Sequence, residues 1–597
     1  MGTTETTQPS NTAVADERSG RFASLWRRPW VIDTGVAVLF LAAALWLVQG
    51  LWPDPATRAM ALNPEDQILI EWFLATDTRV LLGEHGLVSD RINVPDGMNM
   101  LVNATSLTLG FLLAPVTLTL GAPVSFAIIT VGNVAATAIA FYLLFARTLG
   151  LHRAAAAVGG AFTGFAPAMV SQSNSHWHMT ALWLLPPIIW SIIRLVRAAE
   201  ARDQRRIVTS GLWLAGLVVL HVFLGEEVLY LAALTLLLLT VAYALMRRQW
   251  ARRIAPGFLA GMALATGTAT LVLAYPLWVQ FSGPGSVPNG PFPPSYYSAD
   301  LLSWPAFSPL SLAGSEEAAR LATGPAEYNT FLGWPLLLVA VGLVIWLWRY
   351  TIVRACTVAG VIMGLLSFGP ELVVNEVRTG VPMLYSLLTW APVIDAALPQ
   401  RYAMAWVPLL AFLLALALDR ARSLPNWTRV AVPAAVAAAL LPLVPTPLPT
   451  EERAPVPQFI TEDHWRDCVQ PGGGVLVPVP LPTPQEPESM RWAAAADAEF
   501  ALPEGFFIGP YGREGRASVG TFPRPTSHLL ADVAATGELP QIGTAERSQA
   551  RTDLDYWGAE CMVLGPGEPY EDELRTVVAE LLGDPGERVA DAWIWRV

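Results

Sequence analysis

The chain has 597 residues, of which 53% are hydrophobic and only 14% are charged. A water-soluble protein of this length needs a much larger charged surface, so the composition excludes one and indicates a protein that crosses the membrane many times. The formal net charge of −12 falls mostly on the polar segments, whereas the turns predicted to face the cytoplasm are basic. The acidity is therefore no sign of a nucleic-acid or metal partner.

Residues 1–20 are polar and rich in Thr, Ser and Asn, and we predict a disordered cytoplasmic tail over residues 1–29. Between residues 30 and 444, apolar runs of mostly about 17 to 25 residues predict a bundle of transmembrane helices. We place about 11 spans, near residues 31–51, 124–146, 154–170, 179–196, 208–224, 228–246, 257–281, 331–348, 355–369, 402–418 and 430–444.

One further apolar segment, Leu107 to Leu120, is short and interrupted by Pro115. If it does not cross, the Arg-rich connections all lie on the same side as Arg27 and Arg28, and such an Arg excess marks the cytoplasm. We therefore predict an interfacial or re-entrant helix here. The topology that follows puts the N-terminus in the cytoplasm and the C-terminal region outside the cell membrane.

The composition changes after a Pro-rich linker that begins at Pro445. Residues 445–597 alternate strand-like and helix-like patterns, which predict a small extracytoplasmic α+β domain. Cys468 and Cys561 fall in this region, and they can form a disulfide only if it lies outside the reducing cytoplasm. The chain is thus expected to be mainly α, a polytopic helix bundle followed by one soluble domain.

The first predicted outer loop, residues 53–106, carries the acidic pair Glu65 and Asp66 directly after Asn63-Pro64. A membrane enzyme that transfers a group from a lipid-linked donor needs a general base at this depth, and a carboxylate suits that role. Neighbouring residues on a helix point about 100° apart, so one of the two is expected to face a site. The same pattern is also typical of a helix N-terminus, where acids favour the helix dipole, and both roles can coexist.

His176 and His178 flank Trp177 in a predicted outer turn. Residues two apart do not share a helix face, so metal binding would need an extended backbone and a further ligand such as Glu226 or Glu227. Two alternatives remain: a histidine that binds substrate or phosphate, or an interfacial anchor formed with Trp177.

Glu226 and Glu227 start a span, which is compatible with a helix cap, with recognition of sugar hydroxyls or with cation binding. Arg401 lies at the outer end of a span, against the Arg bias of the chain, so a partner is expected there. A polyprenyl phosphate headgroup would suit its planar fork of donors, and snorkelling to membrane lipids is the alternative.

Four passages resemble the GT-C integral-membrane glycosyltransferases, especially bacterial, actinobacterial-like members that use polyprenyl-phosphate sugars. They are Asn63-Pro64-Glu65-Asp66 with Val94-Pro95-Asp96-Gly97-Met98-Asn99; Ser175-His176-Trp177-His178 with Trp183-Leu184-Leu185-Pro186; Ser367-Phe368-Gly369-Pro370 with Thr379-Gly380-Val381-Pro382-Met383-Leu384-Tyr385; and Leu398-Pro399-Gln400-Arg401-Tyr402.

The resemblance implies transfer of a sugar from a polyprenyl-phosphate donor to an extracytoplasmic glycan, lipid or protein acceptor. It gives the role of base to Asp66, with Glu65 as second choice, and it makes Asp96 a candidate for substrate binding. The chain departs from the family's more familiar pair of adjacent Asp residues, or Asp followed by Glu, in this loop. No cofactor is implied, and because metal use varies among such enzymes a divalent metal stays open.

Two other functions fit a polytopic chain. A transporter or flippase of lipid-linked glycans needs polar groups through the bilayer midplane and broken helices in paired halves, and few such features occur here. A non-catalytic envelope-assembly protein would keep the bundle and use only its soluble domain. A variant without the Asp66 carboxylate separates these functions from the enzyme.

Overall fold

The computed structural model describes residues 29–103, 105–391, 394, 397–470 and 472–597. The tail predicted for residues 1–29 lies outside this part of the chain except for Pro29, the first residue of a helix. The helices before residue 300 are α1 (Pro29–Leu47), α2 (Pro64–Leu82), α3 (Leu107–Leu120), α4 (Ala122–Leu143), α5 (Arg153–Phe165), α6 (Pro167–Gln172), α7 (Trp177–Thr180), α8 (Leu185–Ala201), α9 (Gln204–Val222), α10 (Glu226–Met246), α11 (Arg248–Val272) and α12 (Ala274–Ser282).

The remaining helices continue the bundle and then enter the C-terminal region. They are α13 (Trp334–Leu347), α14 (Thr351–Ser367), α15 (Trp406–Ala421), α16 (Asn426–Leu440), α17 (Gln458–Thr461), α18 (Met490–Ala495), α19 (Pro525–Thr536), α20 (Thr544–Trp557) and α21 (Glu571–Leu582). The strands are short: β1 (Arg58–Met60), β2 (Val88–Ser89), β3 (Met98–Asn99), β4 (Glu371–Val374), β5 (Val377–Pro382), β6 (Thr450–Glu452), β7 (Val475–Val479), β8 (Ile508–Tyr511), β9 (Arg516–Val519), β10 (Ala559–Leu564), β11 (Glu587–Val589) and β12 (Ala592–Arg596).

Within the described residues, eight helical segments are long and apolar enough to cross a membrane, and each coincides with one of the runs predicted from the sequence. The predicted runs near 331–348, 355–369 and 430–444 instead fall on apolar helices of fewer than 18 residues. The chain is therefore mainly helical with several candidate membrane helices. The number of 11 crossings remains a prediction, because three of the runs need flanking residues to span a bilayer.

Helix α2 carries the acidic pair of the first predicted outer loop, and its bounds follow from local chemistry. Pro64 supplies the first helical φ, and Glu65 and Asp66 occupy the first turn, where negative charge is favoured. Gly83 ends the helix in the left-handed conformation, with φ of 79°. The helix packs against α3, α4 and α18, so it is buried between the bundle and the C-terminal region.

Asp77 lies in this buried part of α2, with no exposed surface. Its Oδ1 accepts a hydrogen bond from Thr105 at 2.9 Å, and its Oδ2 has no partner among the described residues. Gly110 of α3 leaves room for this carboxyl, because a Cβ there would lie 2.3 Å from Oδ2. Burial raises the pKa of Asp77 to about 8, which the Thr105 hydrogen bond opposes only in part. The carboxyl is therefore held as a neutral acid at neutral pH.

Replacing Asp77 by Asn is expected to stabilise the protein more at about pH 8 than at about pH 5. An unfolded Asp releases its proton near pH 3.9, whereas the folded side chain holds it until about pH 8. Between these values the unfolded state binds fewer protons, so wild-type stability falls as pH rises, and the Asn variant lacks this loss. Thermal melts of both proteins in detergent measure the difference. An equal difference at the two pH values would contradict the assignment.

The C-terminal region contains a four-stranded sheet in the order β11-β12-β10-β7, in which β7 and β10 are parallel and the other pairs antiparallel. Helices α19, α20 and α21 contribute to its core with Leu530, Leu554 and Val578. Cys468 and Cys561 form a disulfide with a Cα–Cα distance of 5.7 Å. This is the mixed secondary structure that the sequence predicts after residue 445.

Several contacts attach the C-terminal region to residues 53–106, the first predicted outer loop. Strand β6 pairs antiparallel with β1, and a parallel bridge joins Ile92 to Leu502. Arg79 of α2 donates to the carbonyl of Asp497 at 2.8 Å and to Glu499 at 3.2 Å. Helix α2 is thus held on one side by the bundle and on the other by residues about 400 positions later in the chain.

Candidate functional site

A cavity of about 1110 Å³ opens where helix α2, the turn around α7, the start of α10, the loop 282–328 and the segments 389–391 and 397–401 meet. Its lining combines acids, histidines and an arginine with an apolar wall. Of the eight site residues predicted from the sequence, six lie in this lining: Asp66, His176, His178, Glu226, Glu227 and Arg401. Residues far apart in sequence therefore share one chamber.

Asp66 faces the cavity from the first turn of α2. Its Oδ2 accepts hydrogen bonds from the Asn63 amide at 2.7 Å and lies 2.9 Å from Nε2 of His176. Burial alone would raise the pKa of the Asp66 carboxyl, but the hydrogen bond and charge of His176 and the Asn63 amide outweigh it and lower that pKa below its ordinary value. Oδ1 makes no hydrogen bond within the described part of the chain, so it is available to a ligand.

Glu65, the second choice for the base, does not belong to the cavity lining among the described residues. This agrees with the 100° that separates neighbouring side chains on a helix. Asp96 is also not brought to the cavity. It lies on an exposed loop, and its carboxylate accepts a hydrogen bond from the Tyr556 hydroxyl at 3.0 Å. Its contact is with helix α20, so this geometry gives Asp96 no place beside Asp66.

The two histidines of the predicted outer turn both line the cavity, with ring centroids 5.8 Å apart. Nδ1 of His176 lies 2.8 Å from Oε1 of Gln172, and its Nε2 faces Asp66. Nδ1 of His178 is buried without a hydrogen-bond partner in the described residues. His176 is therefore held by the protein on both ring nitrogens, whereas His178 keeps a polar atom free for a ligand.

Arg401 has the partner that its position led us to expect, and in fact it has two. Its Nη1 donates to Glu227 at 2.6 Å, and its Nε and Nη2 donate to Oε1 of Glu327 at 2.9 and 2.5 Å. The Arg401 residue is only 7% exposed, so it does not snorkel to lipid. Two carboxylates already pair with its fork of donors, and a phosphate contact of this cavity-lining arginine stays a prediction.

Glu226 accepts a hydrogen bond from Gln280 at 2.6 Å, and both side chains line the cavity. Glu227 keeps its Oε1 buried and unpartnered in the described residues. These two acids therefore do more than start α10, since each has an oxygen in or beside the chamber. Hydrogen bonding to sugar hydroxyls is the chemistry that such oxygens offer.

Sequence reasoning missed four residues of this site: Gln172, Tyr297, Glu327 and Asn329. Glu327 is 5% exposed and accepts hydrogen bonds from Asn329 at 2.6 Å and from Gln172 at 3.2 Å, in addition to Arg401. Burial and then the charge of Glu327 raise the pKa of Tyr297 to about 12, so its hydroxyl stays a hydrogen-bond donor. Tyr297 and Glu327 lie between the predicted spans near 257–281 and 331–348, and that position was the available signal for these two residues.

No group of three or more His, Cys, Asp or Glu side chains with metal-binding geometry is found in the part of the chain that the structure describes. The cavity lining combines the Asp66 carboxylate, two histidines, the ion-paired Arg401 and the carboxylates of Glu226, Glu227 and Glu327. The apolar part of its lining includes Leu277 and Phe281 of α12 and Phe506 beside β8. Such a chamber suits a ligand with both a lipid and a sugar portion.

Comparison with protein-family models gives no match, and comparison with curated proteins gives none either. Among solved structures, the chain is similar to the archaeal oligosaccharyltransferase AglB from Archaeoglobus fulgidus in complex with an inhibitory peptide and a dolichol-phosphate. The TM-score is 0.49 at 11% identity, over 90% of this chain and 70% of that one.

The chain is also similar to the arabinofuranosyltransferase AftD from Mycobacteria, with a TM-score of 0.48 at 15% identity over 95% of this chain. It spans only 40% of the length of that protein. Both of these neighbours are named as glycosyl-transferring proteins.

Proposed function

We propose that the protein transfers a sugar from a polyprenyl-phosphate donor to an extracytoplasmic glycan, lipid or protein acceptor, with Asp66 as the general base. The observation that carries this proposal is the single cavity that unites Asp66 with His176, His178, Glu226, Glu227 and Arg401. The free Oδ1 of Asp66 gives the cavity a proton acceptor, and the surrounding oxygens give it hydrogen-bond partners for sugars.

In the proposed step, Oδ1 of Asp66 takes the proton of the acceptor hydroxyl. The oxygen of that hydroxyl attacks the anomeric carbon of the donor sugar at the same time. The bond from that carbon to the phosphate oxygen breaks, and its electron pair leaves with the polyprenyl phosphate. A phosphate is a good leaving group, so the reaction needs a base more than it needs an acid. A carboxylate whose pKa is low is unprotonated and ready at neutral pH.

Two walls of the cavity support a division between donor and acceptor. Leu229 and Ala233 of α10 and Phe281 of α12 form an apolar wall next to the candidate membrane helices, which suits a lipid chain. On another side, Ile508 and Val519 come from the β8–β9 hairpin of the C-terminal region, which suits an acceptor arriving from outside. In this proposal the hairpin and the first outer loop both lie on the extracytoplasmic side.

A transporter or flippase of lipid-linked glycans is the alternative, as is a non-catalytic envelope-assembly protein. The clustering of ionisable groups at one end of the bundle favours the enzyme. The second cavity, about 290 Å³ on the other side of α10, is lined by apolar residues with few polar ones such as Thr235. A pathway for a polar headgroup would need polar groups there too.

Proteoliposomes containing the full chain and radiolabelled polyprenyl-phosphate sugars distinguish these functions. A glycosyltransferase moves the label to an added envelope glycan or lipid acceptor and releases unlabelled polyprenyl phosphate. A flippase changes the leaflet of the labelled lipid and leaves its sugar attached. The glycosyltransferase function would be contradicted if, with envelope extract as acceptor, the label stayed on the lipid for every donor in a panel.

An ordinary Asp has a pKa of about 3.9. The acid limb of the pH–rate profile is expected to lie below that value. The folded pKa of Asp66 is lowered, so its base form persists as pH falls and is lost only when pH passes through that lower value. Replacing His176 by Phe removes the main opposing effect and leaves burial to raise the pKa, so the acid limb should move to higher pH. Measurement of kcat/KM against pH for both proteins checks this. An unmoved limb would show that another group titrates.

A further inference from the structure

A network of two side-chain amides and one carboxylate connects the Asp66–His176 pair to Arg401. Gln172, Glu327 and Asn329 have 0%, 5% and 2% of their surface exposed. None of the three is assigned a role as a base or as a helix cap. Their buried hydrogen-bond network is therefore expected to have another role.

Glu327 fixes the orientation of both amides. Its ion pair with Arg401 keeps it a carboxylate, which can only accept hydrogen bonds. Nδ2 of Asn329 donates to its Oε2 at 2.6 Å, and Nε2 of Gln172 lies 3.2 Å from the same oxygen. A flipped amide would place its oxygen against the carboxylate, which is repulsive.

The second hydrogen bond of Gln172 requires the same orientation of its amide. Its Nε2 donates to Oδ1 of Asn329 at 2.9 Å, and that oxygen points to Gln172 because the Asn329 nitrogen points to Glu327. The Gln172 oxygen is therefore left to face His176, at 2.8 Å from Nδ1. Oε1 of Glu327, the other polar atom near Nδ1, lies at 3.7 Å and also accepts only.

Nδ1 of His176 must consequently carry a hydrogen, since both of its polar neighbours are acceptors. In a neutral ring with that tautomer, Nε2 would present a lone pair to Oδ2 of Asp66 at 2.9 Å. Two acceptors at this distance repel each other unless a proton lies between them. The pair thus needs one further proton.

We propose that Gln172 and Asn329, anchored on Glu327, act as positioning residues that fix the Nδ1–H tautomer of His176, so that Asp66 and His176 share one proton in the resting site. The shared proton lies on Nε2 of His176 and is donated to Oδ2 of Asp66, so Oδ1 alone is left as the base of the proposed transfer reaction. The role of Oδ1 as a base rests on the proposed function. The tautomer of His176 and the shared proton follow from the hydrogen bonds alone.

Other charged or titratable groups around the pair agree with an imidazolium at His176. Glu327 and Asp66 are acids, Tyr297 stays neutral, and Arg401 is compensated by its two carboxylates. His178 is the remaining neighbour, with its ring centroid 5.8 Å away. The acids that flank His176 on both sides thus stabilise its positive charge.

Nitrogen-15 NMR of the full chain, labelled on histidine and held in lipid nanodiscs, tests the proton positions without any substrate. The chain has seven histidines, and the signals that disappear in His176→Asn identify this one. We expect both ring nitrogens of His176 to be protonated at neutral pH, and Nδ1 to keep its hydrogen when alkali removes the other proton. A neutral ring with hydrogen on Nε2 at any pH would overturn the proposal.

The variant Gln172→Met removes the acceptor at Nδ1 with little change of volume. Its neutral ring is expected to move the hydrogen to Nε2, where it donates to Asp66. A ring that keeps the wild-type tautomer in this variant would overturn the role of the amides. The wild-type spectrum decides the tautomer by itself, so the test does not depend on the variant folding.

A transfer assay adds a readout that a merely structural role would not move. Wild-type kcat/KM is expected to fall as pH rises above neutrality, and Gln172→Met is expected to lose this alkaline fall. The matched control is Asn133→Leu, because this amide donates to the Trp177 carbonyl of the same turn at 2.9 Å without touching His176. It should lower the rate at all pH values and keep the profile. If no transfer is seen but the NMR result holds, the proposed function fails and the amide network stands.

Discussion

Replacing Asp66 by Asn is expected to lower kcat about 100- to 10,000-fold, the range that a positioned general base contributes. The amide keeps the size and the hydrogen bond from Asn63, but its group at the Oδ1 position can no longer take a proton from the acceptor. Mass spectrometry of envelope glycans from cells carrying only the variant, together with the proteoliposome assay, measures the loss.

Two further variants serve as controls for Asp66→Asn. Asp90→Asn changes an exposed acid of the same outer loop, whose contact with Arg91 is 3.7 Å long, and it should leave transfer unaffected. Glu65→Gln tests the second candidate, which lies outside the cavity lining. A loss of activity in Glu65→Gln with retention in Asp66→Asn would transfer the role of base to Glu65.

Replacing Arg401 by Met is expected to destabilise the protein by about 3–5 kcal/mol, because it leaves buried acids without their counter-charge. Glu327 is 5% exposed, and the side chain of Glu227 is 19% exposed, so water compensates the first hardly at all. The Arg401→Met protein should therefore melt several degrees lower, as measured by intrinsic fluorescence in detergent. Addition of Glu327→Gln to this variant should recover part of the loss.

The matched control is Arg378→Met in the hairpin of β4 and β5. Arg378 pairs with Glu371 at 3.1 Å, but both side chains are substantially exposed, at 45% and 29%. Exposed pairs contribute about 0–1 kcal/mol, so this variant should melt close to the wild type. Equal losses in the two variants would mean that the Arg401 cluster behaves as a surface network open to water.

The sequence located the long membrane helices well, because an apolar run of about 20 residues has few other structural interpretations. Pro64 and Gly83 likewise act locally, so the bounds of α2 could be read from its residues. The short helices were harder, since α13 and α14 have 14 and 17 residues and their length alone does not fix a crossing.

The site was only partly predictable, for a physical reason. The topology inferred from Arg placed Asp66, His176 and Arg401 on the same side, and the structure gathers them in one cavity. Glu327 was missed because it lies in an irregular loop, and its contact with Arg401 joins positions 74 residues apart. Asp96 shows the converse: sharing a loop with Asp66 says nothing about distance once that loop folds over the C-terminal region.

The attachment of α2 to the C-terminal region bears on the order of events during synthesis. Strand β1 is completed by β6, and Arg79 is held by Asp497 and Glu499, which leave the ribosome about 400 residues after it. The helix that carries Asp66 therefore emerges long before its final supports exist. A nascent chain that has inserted all its membrane helices would still lack a seated Asp66, so with the proposed function and topology the protein would become competent only after export of residues 450–499.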